Sequence, residues 1–123
     1  MSGYKKQIQQ SPLPLAAQGP DRDGVTPLMH AAENGNARVI RQLVADGADV
    51  NDADKKGWTA LMYAVRHGQL KAAAELITVG ADIDAEARNG WTALSLAVKA
   101  GSPLIISLLA NAAGKADTIA KLQ

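Results

Sequence analysis

KKGWTALMYAV, residues 55–65, returns almost unchanged as RNGWTALSLAV at 88–98, and a looser copy, RDGVTPLMHAA, stands at 22–32. Gly24, Gly57 and Gly90 are each separated by 33 residues. Thr26, Thr59 and Thr92 keep the register, as do Leu28, Leu61 and Leu94, and Gly35, Gly68 and Gly101. Gly47-Ala48-Asp49 matches Gly80-Ala81-Asp82 in the same frame. A period of this length marks a stack of small units, none of which buries its apolar face alone.

Within one unit the residues dictate the local structure. Thr26 supplies an N-cap hydroxyl, and Pro27 occupies the first helical position, where its missing N–H costs nothing. A short helix with Leu28, Ala31 and Ala32 on one face should follow and stop near Gly35. A second helix is predicted from about Ala37 to Asp46, with Val39, Ile40, Leu43 and Val44 at helical spacing, ending at Gly47. Ser102-Pro103 repeats the cap-then-proline signal for the second helix of the third unit. The stretches GADVNDADKKG (47–57) and GADIDAEARNG (80–90) are too rich in Gly, Asp and Asn for helix. They read as extended turns with Val50 and Ile83 as apolar anchors.

Composition agrees with such a stack. The chain has 123 residues, enough for one domain, and 47% are hydrophobic but only 3% aromatic, with no Phe. The core must then be built from Ala, Leu, Val and Ile, which suits thin, closely packed helices. Thirteen basic residues against twelve acidic ones leave a net charge of +1, so bulk charge gives no reason to expect a nucleic-acid or membrane partner. The absence of Cys removes disulfide and thiolate chemistry. With no membrane-span run and no signal-peptide core, the default expectation is an intracellular protein, in the cytoplasm.

The stretch DRDGVTPLMHAAENGNARVIRQLVADGADVNDA (21–53) resembles a full ankyrin repeat. Residues 54–86 resemble a second, with Ala60 for the motif Pro and Met62 for the motif His; residues 87–113 resemble a third, with Ala87 for Asp and Ser95 for His. The resemblance implies an all-α solenoid of helix-turn-helix units with protruding, β-hairpin-like loops. It also implies a partner that is another protein, with no catalytic residues, small-molecule substrate or cofactor.

A solenoid must hide its terminal faces. Residues 1–20 read as a degenerate N-terminal cap, with LAAQGP (15–20) as the end of a second helix; alternatively SPLPLAA aligns with TPLMHAA as a stray first helix. At two outward positions of the second helices stand Arg38 and Gln42, then Lys71 and Glu75, then Leu104 and Leu108. The last helix, 103–112, is thus apolar nearly all round and should be covered. Within the tail 114–123, residues 115–123 are expected to fold back over it, giving a monomer; the alternatives are a homodimer through this helix or lost repeats. Ala72 and Ala73, in place of Val39 and Ile40, thin the core of the middle unit.

The resemblance further implies a concave groove lined by the residue after each unit's first Gly, the two before it, and the pair before the Gly that ends the first helix. These are Arg22, Asp23, Val25, Glu33 and Asn34 in the first unit, and Lys55, Lys56, Trp58, Arg66 and His67 in the second. The third contributes Arg88, Asn89, Trp91, Lys99 and Ala100. Trp58 and Trp91, about 10 Å apart in stacked helical layers, read either as anchors of an interface or as plates packed flat on the neighbouring loop. The five cations of the second and third units read either as a rim for an acidic peptide or loop, or as ordinary solvated fingertips.

Other chemistry is poorly supported. His30 and His67 lie far apart in sequence, with no carboxylate cluster at ligand spacing, so no metal site is expected; His30 reads as a packed, hydrogen-bonded histidine. No phosphate loop, nucleotide fingerprint or nucleophile elbow occurs. NDAD (51–54) lacks the closing Glu of a calcium loop and reads as turn chemistry. RNA binding through Lys and Trp is disfavoured by the near-zero net charge, and its mark would be a steep salt dependence.

Overall fold

Among the described residues, six helices account for the regular structure: α1 (Pro27–Glu33), α2 (Ala37–Ala45), α3 (Ala60–Arg66), α4 (Leu70–Thr78), α5 (Ala93–Ala100) and α6 (Pro103–Ala112). This computed structural model describes residues 20–112. The expected N-terminal cap, its stray-helix alternative and the folded-back tail lie outside those residues.

The first helix of each unit starts where the threonine predicts. Thr26, Thr59 and Thr92 accept hydrogen bonds from the backbone N–H of Met29, Met62 and Ser95 at 3.2, 3.4 and 3.1 Å. Asn36 caps α2 through Val39 N–H at 3.2 Å. The N-cap Gln69 of α4 makes no such bond. Its side-chain amide donates instead to the Glu33 carbonyl at 2.9 Å, a link between neighbouring units.

Stacking puts α1, α3 and α5 in one layer and α2, α4 and α6 in the other, each helix packed on its predecessor in the same layer and on its partner in the unit. Met29, Leu61, Met62 and Val65 from the first layer meet Ile40, Leu43, Leu76 and Leu109 from the second, all fully buried. Ala72 and Ala73 are also fully buried, and their small size lets α4 lie close to its neighbours. Two of the positions read as outward are not. Glu75 is half-buried and reaches across to Arg41 at 3.2 Å, and Leu108 is half-buried at the equivalent place in α6. Leu104 is outward as expected, 69% exposed, and Val98 on α5 is 60% exposed.

The loops are tight turns rather than paired strands: among the described residues there is one isolated bridge, between Ala53 and Thr59. Each finger is closed at its base by a backbone bond, Asp21 to Val25 at 3.0 Å, Asp54 to Trp58 at 2.9 Å and Ala87 to Trp91 at 2.8 Å. Neighbouring fingers are also joined, Lys55 N–H donating to Asp23 O and Arg88 N–H to Lys56 O, both at 2.9 Å. Lower down, the Asn51 side chain accepts from Asp82 N–H at 2.7 Å, so one loop caps the next. Val50 and Ile83 are half-buried against the core, as anchors should be.

Gly57 makes the finger stacking possible. Its φ is +82°, and a Cβ there would stand 2.9 Å from Arg88 N, a backbone atom with no room to retreat. Gly90 has nearly the same φ, +84°, but among the described residues a Cβ would meet nothing within 4 Å. Gly90→Ala is therefore expected to cost only the left-handed backbone penalty, about 1 kcal/mol, and Gly57→Ala about 2 kcal/mol. Urea unfolding of the two variants measures the difference; equal losses would mean that the fingers do not stack this closely.

Candidate functional site

In the first finger Asp21 Oδ1 accepts from the N–H groups of Asp23 and Val25, both at 2.9 Å. The Val25 bond is the main reason that this carboxyl titrates below its ordinary value. His30 lies 3.8 Å from Asp21 with its side chain 56% exposed. The expectation of a packed histidine is thereby corrected. In the register of Trp58, which packs on Tyr63 in the second unit, the first unit has the smaller Val25.

In the second finger the same device is buried. Asp54 is 8% exposed and accepts from Lys56 N–H and Trp58 N–H at 2.9 Å through Oδ1 and from the Tyr63 hydroxyl through Oδ2. Trp58 covers Tyr63, with ring centroids 5.3 Å apart and planes tilted by 55°. Burial, and then the bond to Asp54 and its charge, push the Tyr63 phenol well above its usual range. A phenol whose folded pKa is raised contributes stability that is fully present below its ordinary pKa and lost as pH rises through the folded value.

The third finger replaces this polar pair by an apolar one. Ala87 stands in the register of Asp54, and Leu96 in that of Tyr63; both are buried. Trp91 N–H turns to Asn89 Oδ1 at 3.1 Å. With no tyrosine beneath Trp91, an apolar hollow opens between the second and third units. The cavity, about 580 Å³, is lined by Trp58, Arg66, Asn89, Trp91, Leu96, Lys99 and Ala100.

Two cations lie against the indoles. The Arg66 guanidinium is 5.4 Å from the Trp58 ring centroid, and the Lys99 ammonium is 5.0 Å from that of Trp91. Both readings of the tryptophans meet here, because each ring is half-buried against the core and also lines the cavity.

Six residues of the sequence-derived groove set therefore converge: Trp58, Arg66, Asn89, Trp91, Lys99 and Ala100. Lys55, Lys56 and Arg88 are exposed near the tips of their fingers. Arg22, Asp23 and Asn34 are exposed in the first unit and do not line the cavity, nor does the half-buried Val25. Glu33 is engaged by His67 of the next unit at 3.4 Å. Leu96 was not anticipated; the signal for it is the simultaneous loss of Asp at 87 and of a polar partner at 96.

The electrostatics around the cavity are one-sided. Of the neighbouring carboxylates, Asp54 faces three uncharged donors inside the second finger, and Glu33 lies 3.4 Å from His67 on the side of the first unit; neither lines the cavity. Among the described residues, Lys55, Lys56, Arg66, Arg88 and Lys99 form no ion pair. The described residues contain no group of three or more His, Asp or Glu able to hold a metal, and no helix long and apolar enough to cross a membrane.

Two family models match the chain. One, described as ankyrin repeats in three copies, covers residues 5–87, and the other, described as an ankyrin repeat, covers residues 89–121. Both matches extend beyond the described residues. No curated protein matches the chain.

Proposed function

The chain belongs to the ankyrin-repeat family, whose members are generally protein-interaction modules, and on that premise we propose that it holds a partner protein in the groove between its second and third units and acts through that capture as an adaptor, inhibitor or effector. One observation supports this above all: two half-exposed tryptophans share a single apolar cavity, each with a cation against its ring. Trp and Arg are the residue types most enriched where binding energy concentrates. The uncompensated cations favour an acidic peptide or an acidic loop of the partner and would steer its approach. Members of the family act by binding, typically without catalysis. The same role is proposed here.

A second reading is favoured by Leu104, an apolar side chain exposed on α6. In it the chain assembles with another subunit through α6. The two readings separate by solution mass: a monomer is expected, whereas a dimer that Leu104→Glu dissolves would support assembly.

The groove is tested by capture from native extract with the wild type, with Trp58→Ala/Trp91→Ala, and with Arg66→Glu/Lys99→Glu. The charge variant is included because Trp58 packs on Tyr63, so its truncation also disturbs the fold, whereas Arg66 and Lys99 are exposed. A partner retained by the wild type and lost by both folded variants is expected. Equal retention by all three would move the site elsewhere.

A further inference from the structure

Trp58 with Arg66, and Trp91 with Lys99, are the same two-residue device placed twice, one repeat apart. The first unit does not carry it: Val25 and Glu33 stand in those registers. The site is therefore a doublet, bounded on one side by a carboxylate. Helical layers stack about 8–10 Å apart, so the backbone positions that carry the two cations are about that far apart, and a ligand pairing with both spans a similar distance.

Extended chains meet that span in different ways. A β-strand advances about 3.3 Å per residue and shows one face only at every second residue, giving steps of about 6.6 or 13 Å on that face. Neither matches. A polyproline II segment has three residues per turn and rises about 3.1 Å per residue, so residues i and i+3 share a face about 9.3 Å apart. Two turns of α-helix also span about 10 Å, so a helical segment is the competing ligand that the peptides below separate.

We propose, building on the groove reading above, that this doublet takes an acidic segment of a partner protein in polyproline II conformation, with carboxylates at positions i and i+3 and an apolar side chain between them. The carboxylates pair with Arg66 and Lys99. The apolar side chain, about 120° round the three-residue turn from the carboxylate face, enters the cavity between the indoles, over Leu96. A polyproline II chain leaves its backbone groups solvated, so the site needs no ladder of backbone partners, and the segment is already extended before it binds. A third carboxylate one step further toward the first unit would meet Glu33 and gain nothing.

The test uses the full 123-residue chain and fluorescein-labelled synthetic peptides in a Gly-Ser-Pro context. One carries Glu-Leu-Pro-Glu, one has the acids two residues apart, one has them seven apart in a helical sequence, and one has both acids replaced by Gln. Fluorescence anisotropy is expected to show the i, i+3 peptide binding at least about tenfold more tightly than the other three, with Arg66→Glu and Lys99→Glu each weakening it about tenfold. Tighter binding of the helical peptide, equal binding of all four, or no binding of any overturns the proposal. If extract capture still depends on the groove, only the ligand chemistry is wrong. If capture ignores the groove variants, the groove reading falls as well.

Discussion

Leu76→Ala is expected to lower the unfolding free energy by about 4 kcal/mol, the upper part of the range for buried leucines. Leu76 is fully buried in α4, which packs on both α2 and α6. Its unit already carries Ala72 and Ala73 where the first has Val39 and Ile40. The small neighbours have no side-chain length with which to fill the void, so the transfer loss and the cavity both count. Because each unit is stabilised by its neighbours, weakening the middle one also loosens the coupling between the ends. Thermal unfolding followed by circular dichroism should show a midpoint lower by about 12 °C and a broader transition. A loss below about 1.5 kcal/mol would mean that α4 is not the packed centre of the stack.

Asp54→Ala is expected to cost about 3 kcal/mol, because it leaves the Lys56 and Trp58 N–H groups and the Tyr63 hydroxyl without their shared acceptor in a mostly buried place. Asp21→Ala removes a similar acceptor, but one that is 48% exposed, where water replaces it; the loss there should be smaller. A spectroscopic readout accompanies the stability change. Without Asp54, the Tyr63 phenol loses a partner and a nearby negative charge while keeping its burial, so its titration moves down toward the ordinary phenol range without fully reaching it. Alkaline absorbance titration measures this shift. An unchanged titration would show that burial alone holds the phenol.

The repeat frame was legible because its signals are local. Thr26-Pro27, the Gly after each helix, and the loop glycines each specify a backbone state within a few residues, and the helices begin and end where those residues place them. The pairing of Asp54 with Tyr63 was not, since it joins a finger to a helix nine residues on and changes identity in each unit, from Asp21 with His30 to Ala87 with Leu96. The same difficulty hid the cavity, whose lining includes Leu96 where the second unit has Tyr63. His30 was expected to pack, but it is exposed, and the residue after Gly24 is a Val where the second unit has Trp58. Glu75 was read as outward because it stands on the polar side of α4. Its side chain lies instead against the preceding unit, in reach of Arg41. In each case the missing information was a contact between units, which the pattern within one unit does not contain.

The measurement that tests the groove most directly is a nitrogen–proton correlation spectrum of the labelled protein, recorded while the captured partner is added. The chain has two tryptophans, and both line the cavity, so the two indole N–H signals report that site and no other. Shifts of both signals, saturating together with the binding curve, are predicted. Saturated binding with both indole signals unmoved, and with changes confined to backbone amides of α6 or of the outer helices, would contradict the account.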